Sequence, residues 1–292
     1  MQKNPNTLAL ITGIATFMMW GLFPIYFKLL ENVPAIEVLA HRVVWSLLFL
    51  FMIIAYRKRI KNIIRYTGNK KLMRALFLTG VLIASNWGIY IYAVSTDRIL
   101  YASLGYLINP LFSILLGAIF LKEKLSKPTK ISICLVVAAI ANEMYALGEI
   151  PFISLLLPGT FAIYGLLKKQ IKIAAIDGLF FETMLIFPLA IIYLSFLGIS
   201  GNGAFSFSKT GFLLAFSGIV TVLPLITFNF AAVHLKLQTI GFLQYISPII
   251  AVLLAVFVYG EHLEMHKIIS FAIILAGLAI VSLSGILRRK DD

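Results

Sequence analysis

Four ionisable side chains fall inside long apolar runs of this chain: Lys28, His41, Arg42 and Glu182. A charge at the centre of a bilayer costs about 2.5–3.5 kcal/mol on insertion scales, so such groups face protein or a water-filled path. Trp20, Pro24 and Lys28 step by four residues and share one helical face. Lys28 near the outer end of its run could snorkel to the interface, but an indole, a kink and a cation on one face suit a cavity wall better than a lipid surface. Arg42 and Glu182 each lie about two helical turns into an apolar run. Two readings stand equally for them: ion pairing, with Glu31, Glu37 or Glu182 as partners of Arg42, or contact with a charged solute. His41 faces away from Arg42 and suits a packed neutral imidazole.

Uncharged polar and aromatic residues add to this set. Ser103, Tyr106, Pro110, Ser113 and Gly117 form one stripe, with Asn109 beside it. Asn86, Trp87 and Tyr90 form a second group, Thr221, Pro224 and Asn229 a third, and Gly241, Gln244, Tyr245, Ser247 and Pro248 a fourth. A solute site is expected from Trp20, Tyr26, Lys28, Arg42, Asn86, Trp87, Tyr90, Tyr106, Asn109, Asn229, Gln244 and Tyr245. Aromatic rings would stack on the solute and amides would hydrogen-bond it, as in pockets that hold small organic ligands. Lys28 or Arg42 would favour an anionic or zwitterionic solute. The structural alternative for each residue is interhelical hydrogen bonding and packing.

Other chemistries fit poorly. His41, His234, His262 and His266 do not cluster with cysteine or paired acids, so no metal site and no cofactor is expected. A membrane-embedded transferase acting on a lipid-linked substrate is the alternative to a carrier. It would want paired acids to hold a metal and phosphates. The only aspartates, Asp97, Asp177, Asp291 and Asp292, include none beside another acid inside an apolar run. No phosphate-binding glycine loop and no channel filter motif is present. The sole cysteine, Cys134, lies in an apolar run and is expected to be buried and inert.

These residues sit on apolar runs of bilayer-spanning length. Ten such runs fit, at roughly 8–30, 35–56, 72–95, 99–121, 129–147, 150–168, 176–197, 210–233, 238–260 and 266–287. The 292 residues are 61% hydrophobic and 13% charged, against about 25% charged in soluble domains. The net charge of +13 does not imply nucleic acid, because its placement is one-sided. With both termini cytoplasmic, 20 of the 25 Lys and Arg residues fall on inner segments, as the positive-inside rule requires.

The chain also repeats itself. Pro110 precedes Glu123 by thirteen residues, and Pro248 precedes Glu261 by the same thirteen, with 138 residues between the copies. At that spacing Gly21, Phe23, Ile25 and Tyr26 match Gly159, Phe161, Ile163 and Tyr164, and Gly80 matches Gly218. Five spans per copy turn the second copy over in the membrane. The expectation is an all-α membrane protein of ten transmembrane helices in two inverted five-helix repeats, 1–148 and 149–292. In such carriers the solute binds near the midplane between the halves. Pro24, Pro110, Pro224 and Pro248 are the expected hinges. Spans 5 and 10 are aliphatic, and Ala272 and Ala276 give a small-residue spacing suited to a homodimer contact.

A family resemblance rests on the same residues. Trp20-Gly21 with Pro24-Ile25-Tyr26-Phe27-Lys28, His41-Arg42 with Trp45-Ser46, Asn86-Trp87, and Ala102-Ser103-Leu104-Gly105-Tyr106 with Ile108-Asn109-Pro110 resemble the RarD subgroup of EamA-type drug/metabolite transporters. So do Tyr164-Gly165-Leu166, Glu182-Thr183-Met184, Val222-Leu223-Pro224-Leu225, Gln244-Tyr245-Ile246 and Tyr259-Gly260-Glu261. Tyr90-Ile91-Tyr92 departs conservatively from the family's Phe-Ile-Trp. The resemblance implies a ten-helix inverted-repeat carrier of the bacterial inner membrane, a permease for small organic metabolites or drugs working by alternating access.

Overall fold

The computed structural model describes residues 5–120, 122, 125–235, 239 and 243–288, and every regular element among them is helical. In chain order these are α1 (Pro5–Gly21), α2 (Phe23–Lys28), α3 (Ala35–Tyr56), α4 (Ile60–Thr67), α5 (Lys70–Ser95) and α6 (Ile99–Phe120). Then follow α7 (Lys127–Leu147), α8 (Phe152–Gln170), α9 (Ala175–Ser200), α10 (Lys209–His234), α11 (Ile246–Phe257) and α12 (Met265–Arg288). Seven helical stretches are long and apolar enough to cross a membrane, and 152–168, 246–257 and 265–281 are shorter apolar helices.

The helix ends follow from local chemistry. Asn69 accepts from the Leu72 N–H and Ser126 from that of Thr129, so α5 and α7 begin with their orphan donors satisfied. Gly148 and Gly201 end α7 and α9 at φ 68° and 70°, a backbone region where a side chain is strained. The cap of α6 comes from far along the chain. Glu261 accepts from the N–H of Ile99 at 2.7 Å and of Leu100 at 3.0 Å. Burial pushes this carboxyl up, and the two N–H groups pull it back. Glu261 is therefore a helix cap and not only a snorkelling acid.

Four features differ from the sequence expectation. The first run breaks at Leu22, dividing it into α1 and α2 just before Pro24, which takes a first-turn position where its missing N–H costs nothing. The basic segment after α3 contains a short amphipathic helix, α4, which buries Ile63. Pro110 lies inside an unbroken α6, whereas Pro248 sits in the first turn of α11, after a turn at Gln244 and Tyr245. Cys134 is exposed on α7. Lipid-facing and core positions of a membrane helix are equally apolar, so composition does not separate them. Glu123 and Gly241 lie outside the described residues.

The helix contacts fall in matching sets. α1 rests on α10 and α11, and α8 rests on α5 and α6. α3 packs on α9 and α10, α9 on α3 and α5, α6 meets α11, and α7 pairs with α12. Two glycines permit the closest crossings. A Cβ on Gly80 of α5 would stand 2.8 Å from the Glu182 carbonyl oxygen of α9. One on Gly218 of α10 would stand 2.5 Å from the Trp45 carbonyl carbon of α3.

Candidate functional site

Arg42 sits on α3 where α2, α5 and α10 converge, and only 3% of it is exposed. Its Nε donates to the Thr221 hydroxyl at 2.6 Å, and that hydroxyl in turn donates to the Ser217 carbonyl of α10. Its guanidinium carbon lies 4.2 Å from the centroid of Trp87, 5.5 Å from Phe27 and 5.8 Å from Phe23. Desolvated cation–π contacts of this kind are worth about 2 kcal/mol or more. Tyr26, Tyr90 and Tyr106 lie within electrostatic reach of the same charge. The rings of Tyr90 and Tyr106 are 5.7 Å apart, and the Tyr26 hydroxyl donates to the Leu213 carbonyl. No carboxylate among the described residues pairs with Arg42.

The carboxylates named as its partners are engaged elsewhere. Glu182 is buried on α9 and accepts from Lys168 Nζ at 2.9 Å, Thr79 at 2.7 Å and Tyr164 at 3.3 Å. Glu37 accepts from the Ala204 N–H at 2.6 Å. Glu31 and Asp97 both hold Lys28, whose Nζ also lies 5.6 Å from the Tyr259 centroid. The Lys28 side chain, 10% exposed, is thus tied to two exposed acids, and no hydrogen bond or ion pair among the described residues joins it to the cage around Arg42. Because Glu31 and Asp97 are largely exposed, such a cluster adds only about 0–1 kcal/mol. Lys28→Ala should therefore lower stability by less than about 1 kcal/mol and leave solute affinity nearly unchanged. Melting and ligand titration of the variant check this.

The other expected residues divide. Trp20 packs edge-on against Phe17 at 5.3 Å and beside Phe228, in a cluster between α1 and α10. Asn86 of α5 donates to the Leu157 carbonyl at 2.8 Å and to Thr160 at 3.0 Å, which commits its amide to α8. The Tyr106 hydroxyl reaches Asn86 Oδ1 at 3.5 Å. Asn109 is buried, with Oδ1 unpartnered. Tyr245 packs with the α6 and α12 core, and Gln244 precedes it in the turn. The Asn229 side chain lies outside what the structure describes.

Phe23 and Phe27 are cage residues that sequence reasoning missed. Their four-residue spacing around Pro24 was the available signal, but phenylalanine is too common in this chain to stand out. A separate open cavity of about 420 Å³ lies between α3, α9 and the loop at 201–205, lined by Glu37, His41, Trp45 and Phe205. His41 stacks on Phe205 there at 4.9 Å, with neither ring nitrogen hydrogen-bonded and Nε2 4.0 Å from Glu37.

The model of the EamA-like transporter family matches this chain twice, over residues 7–142 and 150–283. The chain belongs to the EamA-like transporter family. Within it, the chain falls in the RarD subgroup of the drug/metabolite transporters. It is 38% identical over 295 residues to Protein RarD of Escherichia coli strain K12, covering 99% of both chains. It is 39% identical over 290 residues to the uncharacterized transporter YojE of Bacillus subtilis strain 168, covering 98% of this chain and 97% of that one. A solved crystal structure, 14% identical, superposes with a TM-score of 0.62 over 94% of this chain and 96% of its own, which shows a shared fold. With these relatives and its apolar helices, this EamA protein is a multi-pass membrane protein of a transporter family.

Proposed function

We propose that this EamA protein is a secondary carrier of small organic metabolites or drugs in the bacterial inner membrane, working by alternating access. The single observation that carries the reading is the cage around Arg42. α2, α3 and α5 of one half and α10 of the other surround a buried cation and aromatic rings, the composition of a small-molecule site. The transporter names of the relatives argue against the transferase alternative.

The proposed architecture is ten spans in two inverted halves, 1–148 and 149–292, and three reciprocal contacts support it. Gly80 meets Glu182, and its counterpart Gly218 meets Trp45, so each half lays a glycine helix on the other's second span. Gly21 lies against Ile250, and its counterpart Gly159 against Phe112, with both pairs spaced 138 residues apart. The third is a likeness of helix pairs and not of matched positions: Thr16 bonds Thr227 across α1 and α10, while Asn86 bonds Thr160 across α5 and α8. The two versions of one contact differ in tightness. A Cβ on Gly21 would stand 2.8 Å from Ile250, but one on Gly159 would stand 4.0 Å from Phe112. Exchange of tight and loose packings between the halves is what alternating access requires. The breaks nearest Pro24 and Pro248, with Pro110 and Pro224, are the proposed bending points, and Arg42 and Glu182, the latter paired with Lys168, are the proposed coupling residues.

Both termini are proposed to be cytoplasmic. In a Cys134→Ala background, single cysteines at 61, 127 and 169 should label only from inside, and at 97 and 201 only from outside. Labelling of 61 by an impermeant reagent in intact cells would sink the topology. Ala272 and Ala276 lie on the exposed face of α12, which supports the proposed homodimer through α7 and α12. Failure of cysteines at 272 to cross-link between copies would remove that proposal.

A further inference from the structure

Building on the carrier reading, we infer that the solute is an organic monoanion, a monocarboxylate with a flat apolar body, and that Arg42 reads its charge. The first argument is the missing counterion. Other cations that are at least partly buried have a carboxylate: Arg59 has Asp177 at 2.7 Å, Lys168 has Glu182 at 2.9 Å, and Lys267 has Glu264 at 3.9 Å. Arg42 is buried more deeply than any of these three cations and has none among the described residues. Guanidinium does not shed its proton in proteins, so it cannot relieve burial by neutralising itself. An anionic ligand supplies what the fold leaves out.

Geometry narrows the anion. Thr221 fixes Nε, and the Trp87 ring covers a face of the guanidinium at 4.2 Å. No described residue accepts from the two terminal nitrogens. These two nitrogens form a planar fork of N–H donors, which matches the two oxygens of a carboxylate. Charge counting then limits the ligand to one negative charge. Lys28 already holds both Glu31 and Asp97, and the groups facing the cage from α2, α5 and α6 are the neutral phenols Tyr26, Tyr90 and Tyr106. A dianion would leave a second charge buried without a partner, which is costly.

The walls define the rest of the molecule. Phe23, Phe27 and Trp87 stand around the guanidinium, with Tyr90 packed on Phe27, so the surroundings of a bound anion are aromatic. The Asn86 amide donors are committed to Leu157 and Thr160. Recognition therefore rests on the anion and on apolar area, not on an array of amides.

Four probes with the same phenyl body test this on the purified wild-type protein by concentration-dependent thermal stabilisation: phenylacetate, its neutral amide phenylacetamide, the cation phenethylamine and the larger dianion phenylsuccinate. Phenylacetate is expected to bind at least about 30-fold more tightly than the amide or the amine, and more tightly than the dianion. Arg42→Gln should erase the preference for phenylacetate over phenylacetamide. Arg42→Lys, which keeps the charge but loses the fork, should retain only part of it. Equal binding of the amide or amine, tighter binding of the dianion, stabilisation by none of the four, or an unchanged preference in Arg42→Gln overturns the assignment. If Arg42→Gln does not fold, the wild-type ranking alone decides. Two-sided accessibility of a cysteine at 106 separates the layers. Alternation with the wrong ranking refutes the monoanion and leaves the carrier. The right ranking without alternation refutes the carrier and leaves the site.

Discussion

Gly218→Leu should leave almost no folded protein in the membrane. The added side chain has to enter where α10 crosses α3, with the Trp45 carbonyl oxygen 2.6 Å and the Ser46 nitrogen 2.9 Å from the new Cβ. These are backbone atoms, which cannot swing aside as a flexible side chain can. Overpacking a core costs about 1–3 kcal/mol when side chains can adjust, and more when a backbone must shift. Gly165→Leu is the matched control, since no atom lies within 4 Å of a Cβ there. Size-exclusion profiles of the two variants should differ sharply. A monodisperse Gly218→Leu protein melting near the wild type would mean that the α3–α10 crossing is not as close as described.

Lys168→Met should be the most damaging polar substitution. Glu182 is 1% exposed and holds its charge against Lys168, with Thr79 and Tyr164 completing its shell. Removing one partner of a buried pair costs about 3–5 kcal/mol, because the other charge stays behind without compensation. The double variant Lys168→Met/Glu182→Gln should recover most of that loss, since a neutral amide can still bond Thr79 and Tyr164. Thermal melting of the two single variants and the double variant in one detergent gives the coupling directly. If the double variant is no more stable than Lys168→Met, the pair does not control stability here.

The all-helical membrane character of this fold can be read from the chain because long apolar runs are a local property. The Gly80 and Gly218 match at 138 residues marks two real close approaches, since only a residue without Cβ fits such a crossing. The breaks are less legible. Pro24 marks the α1–α2 junction, yet Pro110 leaves α6 continuous, because neighbouring helices decide whether a freed carbonyl bends the chain. Pairing is the least legible property. Glu182 looks like a natural partner for Arg42 by depth, but Lys168 reaches it first, only fourteen positions before it in the chain. Arg42 instead meets Thr221, 179 residues away. The isolation of Arg42 is a three-dimensional fact, and no local pattern carries it. Glu261 as the cap of α6 is of the same kind, joining residues 161 and 162 positions apart.

The central claim is that solute binds between the halves and is exposed to each side in turn. Tyr106 is where to measure it, because its ring packs on Tyr90 inside the aromatic wall of the Arg42 cage. In a Cys134→Ala background, a single cysteine at 106 is labelled by an impermeant thiol reagent added to either side of sealed vesicles, with and without phenylacetate. The carrier account predicts labelling from both sides in the same preparation, and slower labelling from both sides when the ligand is present. Labelling from one side only, under all conditions, would contradict it.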